Sequence, residues 1–291
     1  MSTVIISSTQ DPASTNIKHA LLDQATWEEQ GLFLENIYYK STLFQDLYLL
    51  TIPDKTIIHE GLETQITQQL HIRPRQAIFI SRHRSKTGEP SLTTHPIGNY
   101  SQALYGGKDH TVSPPLPHHM TALLRYINNN AEQKGLYHKV CFEVTHHGPY
   151  MSIPTLFTEV GSTIDEWKKQ LPATVIAQSV INLLESYDDI TTSSKDIPVL
   201  IGVGGGHYAP RFTDVALEKQ VSFAHMIPSY HINGGNITKD IIRHVIDISS
   251  HIDGIYLHRK ALKKSQQTTM KQWCKDLEIP VVSSKELTDL S

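Results

Sequence analysis

TKDIIRHVIDISSHIDGIYLHRKALKKSQQTTMKQWCKDLEIPVV, residues Thr238–Val282, alternates between two kinds of segment. Thr238–Ser250 reads as a helix, Gly254–Leu257 as a strand, Lys264–Leu277 as a helix and Pro280–Val282 as a last strand. Just upstream, Pro198–Val203 is an apolar run of the buried-strand type that ends in glycines. Strand and helix thus follow each other at crossover spacing. That predicts an α/β fold, a single domain over residues 1–291 with a central mixed, mainly parallel sheet flanked by helices.

The first half fits the same scheme. Val4-Ile5-Ile6 is a β-branched run, Ser7–Asp11 is turn chemistry, and Pro12 suits an early helical position before Ile17, Ala20 and Leu21. Leu47–Ile52 and Gln76–Ser81 have strand character, and Ser91–His95 alternates as a partner for the latter. Residues 104–118, with two Gly and three Pro, read as a loop. His119–Gln133 reads as a helix with Met120, Leu123, Leu124 and Ile127 on one face, and Lys139–Thr145 and Thr155–Glu159 as strands. Thr163-Ile-Asp-Glu166 is a capping box opening helical material to about Ser186, with a break at Pro172. Thr191–Asp196 is the best internal loop.

Composition bounds the classes. The 291 residues include 26 Lys+Arg and 29 Asp+Glu, a formal charge of −3, with 39% hydrophobic and 19% charged residues. That excludes a disordered chain. No apolar run approaches the roughly 18 residues of a membrane span. Met1–Gln10 has neither a basic start nor an apolar core, so no signal peptide is expected. Cys141 and Cys274 lie far apart in apolar stretches, which fits core packing in a reducing cytoplasm. Histidine occurs 17 times, more often than Gly (16) or Pro (15), and it clusters.

Four clusters follow or end strands, where α/β sheets collect ligands. Ser81-Arg82-His83-Arg84-Ser85 offers an imidazole between two anion-binding arginines; alone it could equally be a solvated strand end. Glu143-Val-Thr-His146-His147-Gly148-Pro149 places paired histidines beside a carboxylate, a set that suits Zn²⁺, and Gly148 permits close backbone approach. Gly202-Val-Gly204-Gly205-Gly206-His207 fails both common nucleotide-loop patterns. It leaves a glycine-rich turn whose N–H groups could bind an anion, with Arg211 and Asp214 following. The fourth, His225–His231, and the strand-ending His95 read as ordinary surface histidines more readily than as ligands, and His118-His119 reads as surface. No Gly-x-Ser-x-Gly elbow is present. These residues alone reach a metallohydrolase-like α/β enzyme.

Taken together, Ser8–Ile17 (STQDPASTNI), Ser81–Tyr100 (SRHRSKTGEPSLTTHPIGNY), Glu143–Pro149 (EVTHHGP), Leu156–Trp167 (LFTEVGSTIDEW), Gly202–Glu218 (GVGGGHYAPRFTDVALE) and His225–Tyr230 (HMIPSY) resemble the archaeal and plant type of D-aminoacyl-tRNA deacylase. The set keeps the family's order over almost the whole chain. The resemblance implies a cytoplasmic hydrolase of the ester between a D-amino acid and tRNA. It also implies bound zinc and a fold similar to peptidyl-tRNA hydrolases and phosphorylases. This chain departs from the pattern in having Ser7-Ser8 where a cysteine is usual, and His258 where an acid is common.

On that reading His83, His146, His147, Glu159 and His207 form the metal and acid–base set, with His83, His146, His147 and His207 the catalytic candidates. The amides of Gly204, Gly205 and Gly206 are the expected oxyanion donors. Thr145, Tyr208 and Arg211 are expected to hold substrate, and Glu143 or a main-chain carbonyl to accept its amine. Pro149 or Pro210 is expected to help wall out the L form. Arg82 and Arg84 belong to a basic stretch with Arg73, Arg75 and Lys86, the expected tRNA contact; Arg259, Lys260, Lys263 and Lys264 form a second. With a pI near 6.6, any RNA contact must be local. No membrane and no obligate protein partner is expected. A zinc-dependent amidohydrolase or peptidase on small acyl substrates, and a non-catalytic tRNA-binding protein, remain as alternatives.

Overall fold

The β-branched run near the N-terminus becomes the middle of the main sheet. The structure, a computed structural model, describes residues 2–290. Strand β1 (Thr3–Ser8) is buried along its whole length. A strand covered on both faces has to be a continuous apolar run rather than an alternating one, as Val4-Ile5-Ile6 is. The chain continues through β2 (Trp27–Phe33), β3 (Asn36–Ser41), β4 (Leu47–Ile52), β5 (Gln76–Arg84), β6 (Ser91–His95), β7 (Gly98–Asn99), β8 (Thr111–Val112), β9 (Lys139–Phe142) and β10 (Thr155–Ser162). Eight of these form one mixed sheet in the order β2-β3-β4-β1-β5-β10-β6-β9, while β7 and β8 pair as a small ribbon. The centre, β4-β1-β5-β10, is parallel.

The second half alternates as its sequence predicts. Strands β11 (Val199–Val203), β12 (Ser222–Ile227), β13 (Gly254–Leu257) and β14 (Val281–Val282) pair in parallel, in the order β12-β11-β13-β14. They form a second sheet beside the first. Helices Lys239–Ile248 and Lys264–Asp276 are its crossovers, and their Ile242, Val245, Met270 and Cys274 pack with Ile201, Val203 and Ile255. One apolar core runs from Ile5 and Leu21 under the first sheet to Leu200, Phe212 and Phe223 of the second half. Cys141 and Cys274 are buried free thiols within this packing.

Local chemistry sets the helix ends. Asp11 caps helix Pro12–Gln24 by accepting from Ser14 N at 3.0 Å, with Pro12 in the first turn. Thr163 likewise caps Ile164–Trp167, but Glu166 does not close the box. Its carboxylate takes His138 at 3.0 Å and Lys169 at 2.6 Å. The break then falls at Lys168-Lys169, and Pro172 sits in the first turn of Gln170–Glu185, where its missing N–H is harmless.

Several elements differ from the reading of the sequence. The hairpin β2–β3 was not signalled, because β2 (WEEQGLF) is an exposed edge with little apolar alternation. Tyr187–Ser193 is helical, so the polar loop is shorter than Thr191–Asp196 suggests. His119 is not a surface residue, and His118 is half-buried. His119 is buried and stacks on Tyr187 at 3.9 Å, and His118 bonds Ser222 Oγ at 2.9 Å. Among the described residues no helix is long and apolar enough to cross a membrane.

Candidate active site

Strands β5 and β10 lie side by side with Gly161 opposite His83, and β6 runs antiparallel on the far side with His95 opposite Phe157. A Cβ at Gly161 would press on Ser91 and on the His83 ring, so glycine there makes room for the imidazole. The chain leaving β9 then carries Glu143–His147 across to the second sheet. Val144 N donates to His207 O at 2.9 Å and Thr145 N to Met226 O at 3.0 Å, which ties the segment to β12 and to the loop after β11. Four segments remote in sequence thus deliver their polar ends to one place. The expectation that the clusters gather beyond strand ends holds for His83, His95, Glu143–His147 and His207.

Two buried carboxylates organise one side. Glu143 is fully buried; its Oε1 lies 3.0 Å from His83 Nδ1, and its Oε2 lies 2.8 Å from His207 Nε2 and 3.4 Å from His146 Nε2. The contacts are short but off the hydrogen-bonding angle, so both oxygens keep lone pairs unengaged. Burial alone would raise the Glu143 carboxyl, but His207 and His83 outweigh it and hold it well below the ordinary range. Glu159 Oε2 lies 3.6 Å from His83 and 3.8 Å from His95. For His83, burial works against the charge, yet Glu143 and Glu159 prevail and raise its pKa. Its Nε2 meets the Tyr208 hydroxyl at 3.1 Å, and Lys139 Nζ lies over the Tyr208 ring at 4.8 Å.

Three histidines form the other side. His95, His146 and His147 each direct Nδ1 at a backbone carbonyl, of Pro96 (3.1 Å), Val144 (2.7 Å) and Gly148 (3.0 Å). Those bonds place a proton on each Nδ1 and leave Nε2 of His146 and His147 with a free lone pair, whereas at His95 burial works against the charge but Glu159 beside Nε2 prevails and raises the imidazole's pKa. The three side chains offer ligand atoms within 4.8 Å of one another. A carbonyl holding the far nitrogen of each ring is the arrangement that metal-binding histidines use. Burial, then the neighbouring imidazoles, lower His146 well below its ordinary value, and burial and His95 lower His147 to about 4. Both are therefore neutral, as ligands must be. His95 Nε2 is buried with no hydrogen-bond partner, and once that imidazole gives up its proton the three nitrogens fit a cation such as Zn²⁺. His147 also stands at φ 43°, a conformation non-glycine residues seldom adopt and one that often marks functional sites.

These groups open into a cleft of about 720 Å³ lined by His83, His146, His147, Glu159 and His207. Its outer wall carries Lys55, Arg82, Arg84 and Lys86. Arg82 is steadied over Trp167 at 4.9 Å, and its N–H donates to Asp11 Oδ2 at 2.9 Å. Asp11 thus caps a helix and pins the end of β5 at once.

Other expectations need correction. His95 is fully buried at the centre, not a surface histidine; the hint was its place at the end of an alternating strand. His225 is also fully buried, bonded to Thr145 Oγ1 at 3.1 Å. Thr145 is therefore an internal clamp and does not face the cleft. Gly204 N is taken by Ile227 O (2.8 Å) and Gly205 N by Ser229 Oγ (2.8 Å), so neither amide is a free oxyanion donor. Gly204–Gly206 do not line the cleft, nor does Pro149 or Pro210. Arg211 is turned to Tyr256 of the second sheet (3.0 Å) and to Ser284 just beyond its last strand (3.2 Å). Glu143 lies beneath its histidines, and Glu159 is the acid that reaches the cleft. Arg73 and Arg75 stand at the start of β5, roughly 30 Å from Arg84 at its end by strand geometry. Ser7 Oγ is engaged with Thr51 Oγ1 (2.8 Å), and His258 lies beside Gly205 outside the cleft.

Known proteins resemble this chain over nearly its whole length. A family model described as D-aminoacyl-tRNA deacylase matches residues 70–282. Proteins named D-aminoacyl-tRNA deacylase are 33% identical in Pyrococcus abyssi (96% of this chain, 98% of that one) and 31% identical in Methanosarcina acetivorans (98% and 93%). A crystal structure of a conserved protein of unknown function, AF0625, superposes with a TM-score of 0.87 at 27% identity, covering 100% of this chain and 99% of that one. Matched over nearly its full length, the chain belongs to the D-aminoacyl-tRNA deacylase family.

Proposed function

We propose that this protein hydrolyses the ester of D-aminoacyl-tRNA in the cytoplasm, releasing the D-amino acid and tRNA, and that it does so with zinc held by His95, His146 and His147. The observation that carries the reading is a His–Glu centre at the floor of a cleft whose outer wall is basic. Zinc there would supply Lewis acidity at the ester, an activated bond that needs only modest help.

The chain's own residues do the rest. Glu143 and Glu159 keep His83 protonated, so His83 is a proton donor at Nε2, aimed at the Tyr208 hydroxyl. As water adds to the acyl carbon and the bond to the ribose oxygen breaks, that oxygen takes the Tyr208 hydroxyl proton, His83 replaces it, and the proton the water gives up restores His83, a general-acid role. Glu159, the acid among the lining residues, accepts the substrate's α-amine. Holding the amine and the carbonyl fixes two directions at the α-carbon, so the L enantiomer must aim its side chain into a wall. A site that leaves a buried polar group unpaired on the wrong substrate discriminates by roughly 10⁴–10⁵.

The test is single-turnover hydrolysis of one tRNA charged with either enantiomer of the same amino acid. The D ester is expected to be cleaved and the L ester left essentially intact. Comparable rates for both would remove chirality checking and leave a general esterase.

A further inference from the structure

One wall of the cleft has no part in the chemistry above. Tyr105 lines the mouth yet is 67% exposed, and beside it Leu104 is 76% and Ile58 52% exposed. Loops ordinarily keep such side chains from water or let them move. Here the loop's main chain is anchored at several points. Asn99 Nδ2 donates to Gly106 O at 2.9 Å, Gly107 N to Glu60 Oε1 at 2.6 Å, and Gly148 N to Tyr105 O at 3.3 Å. Gly106 (φ 80°) and Gly107 (φ 89°) supply the left-handed turn, and a Cβ at Gly106 would run into the Ile57 carbonyl. A Cβ at Gly148 would in turn run into Gly106 and Gly107. The backbone that bears the exposed ring is thereby tied to the segment that carries His146 and His147.

Around the same cleft stand Lys55, Arg82, Arg84 and Lys86. An aromatic face with clustered cations is the composition that binds single-stranded nucleic acid, with bases stacking on the ring and phosphates meeting the charges. In an aminoacyl-tRNA the ester sits on the last ribose of an unpaired 3′ end, so a base and its phosphates must lie within a few ångströms of the reacting carbon. We propose that Tyr105 is the platform on which the terminal base of the tRNA stacks, with Arg84 and Lys86 taking the phosphates behind it. This rests on the deacylase reading and deepens it: the enzyme reads the end of the RNA as well as the amino acid.

The experiment compares wild type with Tyr105→Ala and Tyr105→Phe on two substrates. One is D-tyrosyl-tRNA; the other is D-tyrosine ethyl ester, which carries no base. Tyr105→Ala is expected to raise KM for the charged tRNA about 5- to 150-fold, the range of one lost base stack, with the loss in KM rather than kcat. Tyr105→Phe, which keeps the ring face, is expected to restore wild-type KM. On the ethyl ester the KM of Tyr105→Ala should move less than about twofold, because no stack is lost. An unchanged KM on charged tRNA, or an equal rise on both substrates, overturns the platform; the second outcome would put Tyr105 against the amino acid. If wild type cleaves the ethyl ester but no charged tRNA, the deacylase reading itself fails.

Discussion

Glu143 Oε2 and His146 Nε2 face each other across 3.4 Å, and neither has a proton to offer, because the imidazole's hydrogen is bonded to the Val144 carbonyl. His83 already offsets the carboxylate's charge at its other oxygen, but the His146 lone pair stays unengaged, and a cation shared with His95 and His147 would take it up. The purified protein is therefore expected to contain zinc in stoichiometric amount, and chelation to lower both activity and thermal stability. Elemental analysis before and after chelation reads this out. Full activity from metal-free protein would overturn it.

Replacing His95, His146 or His147 by Ala is expected to lower zinc content and reduce kcat/KM by at least on the order of 10²-fold. Exposed His19 is the proper control, and His19→Ala should change neither. His119, being buried, is no such control. Equal small effects at all four positions would reduce the histidine cluster to a packed turn.

Salt should separate the two ends of β5. Each phosphate contact on a single strand adds about 0.7 to the slope of log affinity against log salt. Arg84→Ala combined with Lys86→Ala should lower that slope by about 1 to 1.5, while Arg73→Ala with Arg75→Ala should leave it unchanged. The reverse pattern would move the RNA path to the opposite edge of the sheet.

His119 predicts an acid-labile fold. Burial against Tyr187 lowers it from 6.5 to about 4. Above 6.5 both folded and unfolded chains hold the neutral ring, and its stabilising effect is complete. Between 6.5 and 4 only the unfolded chain takes up the proton, so stability falls as pH falls; below 4 the loss is complete. The loss from this one group is on the order of 3 kcal/mol. Urea unfolding of wild type and His119→Gln at about pH 7 and about pH 5 should show the smaller pH dependence in the variant. Identical dependence would show that His119 titrates normally.

Asp11→Ala is expected to destabilise the fold by about 2–4 kcal/mol, since it removes a helix cap and leaves buried donors unpaired. Chemical denaturation measures it. A loss no larger than that of an ordinary exposed cap would mean that the bond to Arg82 N contributes nothing.

Much of this molecule could be read from its residues where local chemistry decides the outcome. Asp11-Pro12 announces a capped helix, Val4-Ile5-Ile6 a central strand, and Glu143–His147 a polar segment at a strand end. Regions governed by distant contacts were opaque. The end of an alternating strand hints that His95 turns inward, but nothing local tells that β10 and the His146-His147 turn enclose it, or that Gly204 and Gly205 have their amides taken by Ile227 and Ser229. Arg73 and Arg84 look like one basic stretch because sequence distance conceals the length of an extended strand. The β2–β3 hairpin was missed for the opposite reason: an edge facing water carries no apolar period to find.

His83 and Tyr208 touch although 125 residues separate them. The chain between them supplies Glu143, His146, His147 and Glu159 to the same centre. A chain that ends before the loop after β11 would lack His207 and Tyr208, and with them the partners of Glu143 Oε2 and of His83 Nε2, so it would hold the three clustered imidazoles without the proposed proton path.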